Sequence, residues 1–251
     1  MKRAGALLAS LMVAVSALST TASPIQAHTA DAWSNSNAFR SACVGFNNTY
    51  PQQMYSMART QMALLGYSPI NGAVGSSFTR SGFLGHVLSD WGVYVHSHGD
   101  NYWASSGAPN VDSGFMQDPG TTRCNSSADI IRSSAIKSAT LGTPYNLVVM
   151  STCYLGSSTS TMPAAFQIEK RKANIGAREF FLGYAHSTFD SSAYRFESTF
   201  FTYLNAGANH SRTVHQAFTY AAGIGGYTAP DSANPFEPNW WGDPNYNGVP
   251  G

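Results

Sequence analysis

Two short segments carry the reactive side chains of this chain. VYVHSHGD (Val93–Asp100) and NLVVMSTCYLG (Asn146–Gly156) are each a β-branched, apolar run that stops at a reactive residue followed by small or polar ones. Runs of this kind read as buried parallel strands. In open α/β sheets the chemistry gathers outside the carboxyl ends of the strands. His98 and Cys153 are therefore expected on one rim of one sheet. A thiol presented beside an imidazole is the minimum equipment for nucleophilic acyl transfer.

The same region offers a rival. His96-Ser97-His98-Gly99-Asp100 is similar to the HxHxDH metal motif of metallo-β-lactamase-type hydrolases, and two imidazoles with an aspartate are a zinc-ligand set. The motif's final His is Asn101 here, and His186 and His210 do not complete a clear second set. For His96 alone, a core histidine at a strand end, hydrogen-bonded to backbone, is the preferred reading.

The elements that must position these residues are legible around them. Lys2 and Arg3, the apolar stretch Ala4–Leu18 and the small residues through Ala22 and Ala27 read as a secretory signal over residues 1–27, cut after Ala22 or Ala27. The expected product is exported, without a membrane anchor. About 225 residues remain, enough for one α/β domain with a sizeable core. Leaving out Lys2 and Arg3 takes the 14 basic residues to 12, against 13 acidic. That balance, with no basic stripe, argues against nucleic acid as a partner.

Residues 28–38 read as a flexible polar leader, 39–230 as the catalytic domain, and 231–251 as a Pro/Gly/Trp-rich segment packing on it. Phe39–Phe46 reads as the first strand. Gln52–Leu65 has helical spacing of Met54, Met57, Ala58, Met62 and Leu65, with Gly66 as its stop. A short helix is expected within Ser76–Asp90, and a site loop or small hairpin within Asn101–Ser127. Helices are expected over Ser127–Ala139, Ala164–Asn174, Ser191–Gly207 and Thr213–Ala222, and a further strand within Glu179–Asp190. Trp103, Trp240 and Trp241 are expected in packing. The alternation predicts a mostly parallel sheet with helices on both faces. Three cysteines leave one unpaired: either Cys43 and Cys124 form a disulfide, or Cys43 is a buried core thiol.

These features together resemble the caspase–gingipain superfamily of cysteine peptidases, which also contains CHAT domains and separase. In that family one strand ends in His-Gly and the next in a Cys soon followed by Gly, here His98-Gly99 and Cys153-Tyr154-Leu155-Gly156. The separation, from 98 to 153, agrees with the roughly 50 residues between caspase His and Cys. SACVGFNNTYP, the stretch from Gly176 to Thr188, Phe196–Leu204 and Trp240-Trp241-Gly242-Asp243-Pro244 also resemble family segments, so the likeness spans Phe39 to Tyr246.

The resemblance implies a caspase-like α/β fold and a cysteine endopeptidase acting on peptide or protein substrates. It implies catalytic His98 and Cys153, an oxyanion hole from the backbone of Gly99 and Cys153, and substrate contacts from Ser151, Ser187 and Thr188. No cofactor and no metal is implied; calcium would fit by analogy with secreted relatives, but no EF-hand-type loop is present. An inactive interaction module of the same fold is the remaining alternative, although both His and Cys are retained. Ser151-Thr152-Cys153 matches neither the Gln-Ala-Cys of caspases nor the acidic residue of Arg/Lys-specific relatives. An uncharged residue before the scissile bond is therefore expected, unless Asp90, Asp100, Asp112, Asp118 or Asp190 enters the pocket.

Overall fold

The computed structural model describes residues 28–35, 49–103, 111–118, 129–141, 145–173, 175–225 and 236–250. Its centre is a six-stranded sheet. Strands β1 (Ala30–Ser34), β2 (Ile70–Asn71), β3 (Gly92–His96), β7 (Leu147–Ser151), β8 (Phe180–Tyr184) and β9 (Pro238–Gly242) lie in the order β2-β1-β3-β7-β8-β9. All neighbours are parallel except β8 and β9. The mostly parallel α/β architecture expected from the sequence is the one observed.

Alternation along the strands divides the core into two layers. Tyr94, Leu147, Val149, Phe180, Leu182 and Tyr184 pack with helices α1 (Tyr50–Leu64), α5 (Asp190–Asn205) and α6 (Val214–Gly225). Val93, Val95, Val148, Met150 and Phe181 point the other way, onto α2 (Arg80–His86), α3 (Ser133–Ala139) and α4 (Met162–Ala165). Beside this second layer, β4 (Gly99–Trp103), β5 (Val111–Met116) and β6 (Ile130–Arg132) form a small antiparallel sheet. Phe115 and Ile131 tie it to the core.

Several local expectations change. Residues 30–34, read as part of a leader, are a fully buried strand between β2 and β3. Its carboxylate and hydroxyl disguise it: Asp31 accepts a hydrogen bond from Trp33 Nε1 at 2.9 Å, and Ser34 bonds His96. The expected strand Phe39–Phe46, the cysteines Cys43 and Cys124 and the signal segment lie outside the described residues. The expected Ser127–Ala139 helix begins only at Ser133, because Ile130 and Ile131 pair with β5. The expected Ala164–Asn174 helix is the single turn α4, which Gln167 ends in the left-handed region at φ 61°. The Trp-rich tail contributes β9, with Trp240 stacked on Phe180 at 5.8 Å. Among the described residues no helix is long and apolar enough to cross a membrane.

Candidate active site

β3 and β7 are neighbours in register, His96 opposite Ser151. The pairing continues one step further, where Ser97 N–H donates to the Ser151 carbonyl at 3.3 Å. Two residues beyond that register, His98 and Cys153 leave the adjacent strands at the same level.

Each strand then turns away. After β3, Ser97 Oγ donates to the Met116 carbonyl at 2.6 Å and Met116 N–H donates to His98 O at 2.9 Å, drawing the chain into the β4–β5 hairpin. After β7, Tyr154 takes the left-handed conformation at φ 61°. Its N–H donates to His186 O at 3.3 Å, and Gly156 N–H to Tyr184 O at 2.9 Å, which lays the turn against the end of β8. Two glycines permit the contacts. A Cβ on Gly156 would lie 2.5 Å from the Gly183 carbonyl carbon, and one on Gly99 only 2.8 Å from the Cys153 carbonyl oxygen and from Thr152 Cβ. The His98-Gly99 turn is therefore packed directly on the backbone that carries the thiol.

Cys153 is 7% exposed. Its Sγ accepts the Thr188 N–H at 3.4 Å. Burial pushes the thiol above its ordinary pKa; the Thr188 N–H opposes this, and the Asp190 and Asp100 carboxylates add to it. Burial lowers His98 below the ordinary imidazole value, against the pull of Asp100. Both shifts favour a thiol and a neutral imidazole over an ion pair. Ser187 is exposed and bonds the Tyr154 hydroxyl at 2.8 Å, while Thr188 is half-buried against the thiol.

Ser151 departs from expectation. It is 3% exposed within β7 and faces the carboxylate of Glu197, beneath the rim rather than on it. Glu197, fully buried on α5, accepts the hydroxyls of Tyr94 and Tyr184, each at 2.7 Å. Burial raises this carboxyl, and those hydroxyls hold it back. Beside it, His96 bonds Ser34 Oγ through Nδ1 at 2.9 Å and Asp190 Oδ1 through Nε2 at 3.2 Å.

With both ring nitrogens engaged, His96 has none left for a metal, and His96, His98 and Asp100 do not assemble as a ligand set. Among the described residues the metal-capable grouping is instead Asp31, His86 and Asp90. Sequence reasoning missed Glu197 and Asp190 as supports of the site. The available signal was their place on the apolar face of α5, with Ala193, Phe196, Phe200 and Leu204.

Neither a family model nor a characterised protein matches the sequence. Solved structures do match the fold. The Arg-specific cysteine proteinase gingipain R superposes with a TM-score of 0.56 at 11% identity, covering 87% of this chain and 46% of that one. The complex of the Porphyromonas gingivalis RgpB pro- and mature domains gives the same score and identity, covering 87% and 48%. The chain has the caspase–gingipain fold. It spans about half the length of these gingipain chains. The gingipain-like sheet places the rim; what the rim can do follows from the residues of this chain.

Proposed function

We propose that the chain is an exported cysteine endopeptidase in which His98 and Cys153 act as a dyad. The supporting observation is the level register of β3 and β7, with the Gly99 turn packed on the Cys153 backbone. His98 takes the proton of the Cys153 thiol as Sγ attacks the scissile carbonyl, and returns it to the leaving amine. Water then clears the acyl-enzyme with His98 as base. The adjacent N–H groups of Gly99 and Cys153 receive the oxyanion, a type of donor worth about 3–4 kcal/mol of barrier.

Both groups start neutral, so proton transfer accompanies attack rather than preceding it. Thr188, through its N–H on Sγ, aims the thiol, and Ser187 borders the approach. Beside the thiol, Tyr154, Ser187 and Thr188 are uncharged. Burying a substrate charge without a partner costs several kcal/mol, which favours an uncharged residue before the cleaved bond. Of the two carboxylates that act on the thiol, Asp190 is already bonded to His96, which leaves Asp100 as the charged group to set against this preference.

Cys153→Ala and His98→Ala should each abolish cleavage of a peptide library while leaving the melting temperature within a few degrees. EDTA should spare turnover and iodoacetamide should stop it. Cleavage retained by Cys153→Ala, or lost to EDTA alone, would overturn the reading.

A further inference from the structure

The end of the sheet opposite the Cys153 rim carries a second group of titratable side chains. Asp31 is the second residue of β1, and Asp90 stands two residues ahead of β3; Ala30 pairs with Gly92, so the two carboxylates lie side by side where adjacent strands begin. They are 0% and 1% exposed. His86 closes α2 and brings its Nδ1 to 3.6 Å from Asp31 Oδ1. One ligand atom from each of the three lies within 4.8 Å of the others.

The carboxylates are held but not satisfied. Trp33 Nε1 donates to Asp31 Oδ2 at 2.9 Å, which fixes the group with Oδ1 toward His86. The Thr29 hydroxyl lies against the Asp90 carboxyl, yet Asp31 Oδ1 and Asp90 Oδ2 are both buried with no hydrogen-bond partner among the described residues. Two buried carboxylates in contact cannot both be ionised without a compensating charge.

We propose that Asp31, His86 and Asp90 bind a divalent transition-metal ion, remote from the catalytic rim. One imidazole nitrogen and two carboxylate oxygens are a ligand set for zinc or its first-row neighbours. Metal–ligand distances of about 2.0–2.2 Å put tetrahedral ligands about 3.3–3.6 Å apart, the separation already present between His86 and Asp31. His86 is 46% exposed, which leaves a path for the ion and room for water as the fourth ligand. The ion ties the C-terminus of α2 to the starts of β1 and β3.

The test uses Cys153→Ala protein, so that the dyad thiol takes no part, stripped with chelator and titrated with Zn²⁺ in competition with a chromophoric chelator. One equivalent should bind and raise the melting temperature. Asp31→Asn, which keeps the acceptor for Trp33, and the half-exposed His86→Ala should each weaken binding at least about tenfold. Co²⁺ in place of zinc should show ligand-field bands without thiolate charge transfer. Absence of stoichiometric uptake, uptake that survives His86→Ala, or a thiolate band pointing to Cys43 or Cys124 would each overturn the proposal.

Discussion

Replacing Gly99 by alanine perturbs the junction between the two motifs without touching a reactive atom. The new methyl would sit 2.8 Å from the Cys153 carbonyl oxygen and 2.8 Å from Thr152 Cβ, where ordinary contact begins at 3.4 Å. Neither neighbour is the free end of a flexible side chain, so the two turns must part by roughly half an ångström. Overpacking of this kind costs about 1–3 kcal/mol of stability. A misplacement of 1 Å at reacting groups can cost about 100-fold in rate, so half of that should lower kcat/KM by about tenfold or more. A fluorogenic peptide assay and urea denaturation of the same preparation give both numbers. Gly223→Ala is the control: it lies on an exposed part of α6, with nothing within 4 Å of the new methyl. It should leave the rate unchanged and stabilise by about 0.5–1 kcal/mol. Wild-type stability and kcat/KM in Gly99→Ala would refute the claim that the His98 turn rests on the Cys153 backbone.

The neutral state of the dyad predicts a pH profile. Burial disfavours both the thiolate and the imidazolium, so alkylation of Cys153, followed on its own peptide by mass spectrometry, should rise through an inflection above the ordinary thiol value of about 8.5. A rate constant flat between pH 5 and 8 would signal an ion pair instead. Beneath the rim, Tyr184→Phe leaves Glu197 Oε1 without its phenolic donor in a fully buried site. It should cost about 1–3 kcal/mol in urea denaturation, and a loss under 0.5 kcal/mol would show that the Glu197 cluster supports little.

Val93–His96, Leu147–Ser151 and Phe180–Tyr184 were legible because buried parallel strands need continuous apolar runs, and the long helices because one face of each is apolar. β1 was not legible, since Asp31 and Ser34 interrupt the apolar pattern; Asp31 is held by Trp33 within the strand, and Ser34 finds its partner only in another segment, at His96. β6 escaped because Ile130 and Ile131 fit a helix as well as a strand until β5 pairs with them. At the site, strand ends announced His98, Gly99 and Cys153. Ser151 shares the side of Leu147 and Val149 on β7, and its burial became visible only once α5, with Glu197, was seen to cover that side, 46 positions further along the chain.

The central claim is that Cys153, served by His98, is the nucleophile. It is tested most directly by treating the protein with peptidyl acyloxymethyl ketones and mapping the adduct by peptide mass spectrometry. A single adduct on Cys153 is expected, absent from Cys153→Ala and formed about 100-fold more slowly in His98→Ala. An adduct on Cys43 or Cys124 instead, with peptide cleavage continuing in Cys153→Ala, would contradict it.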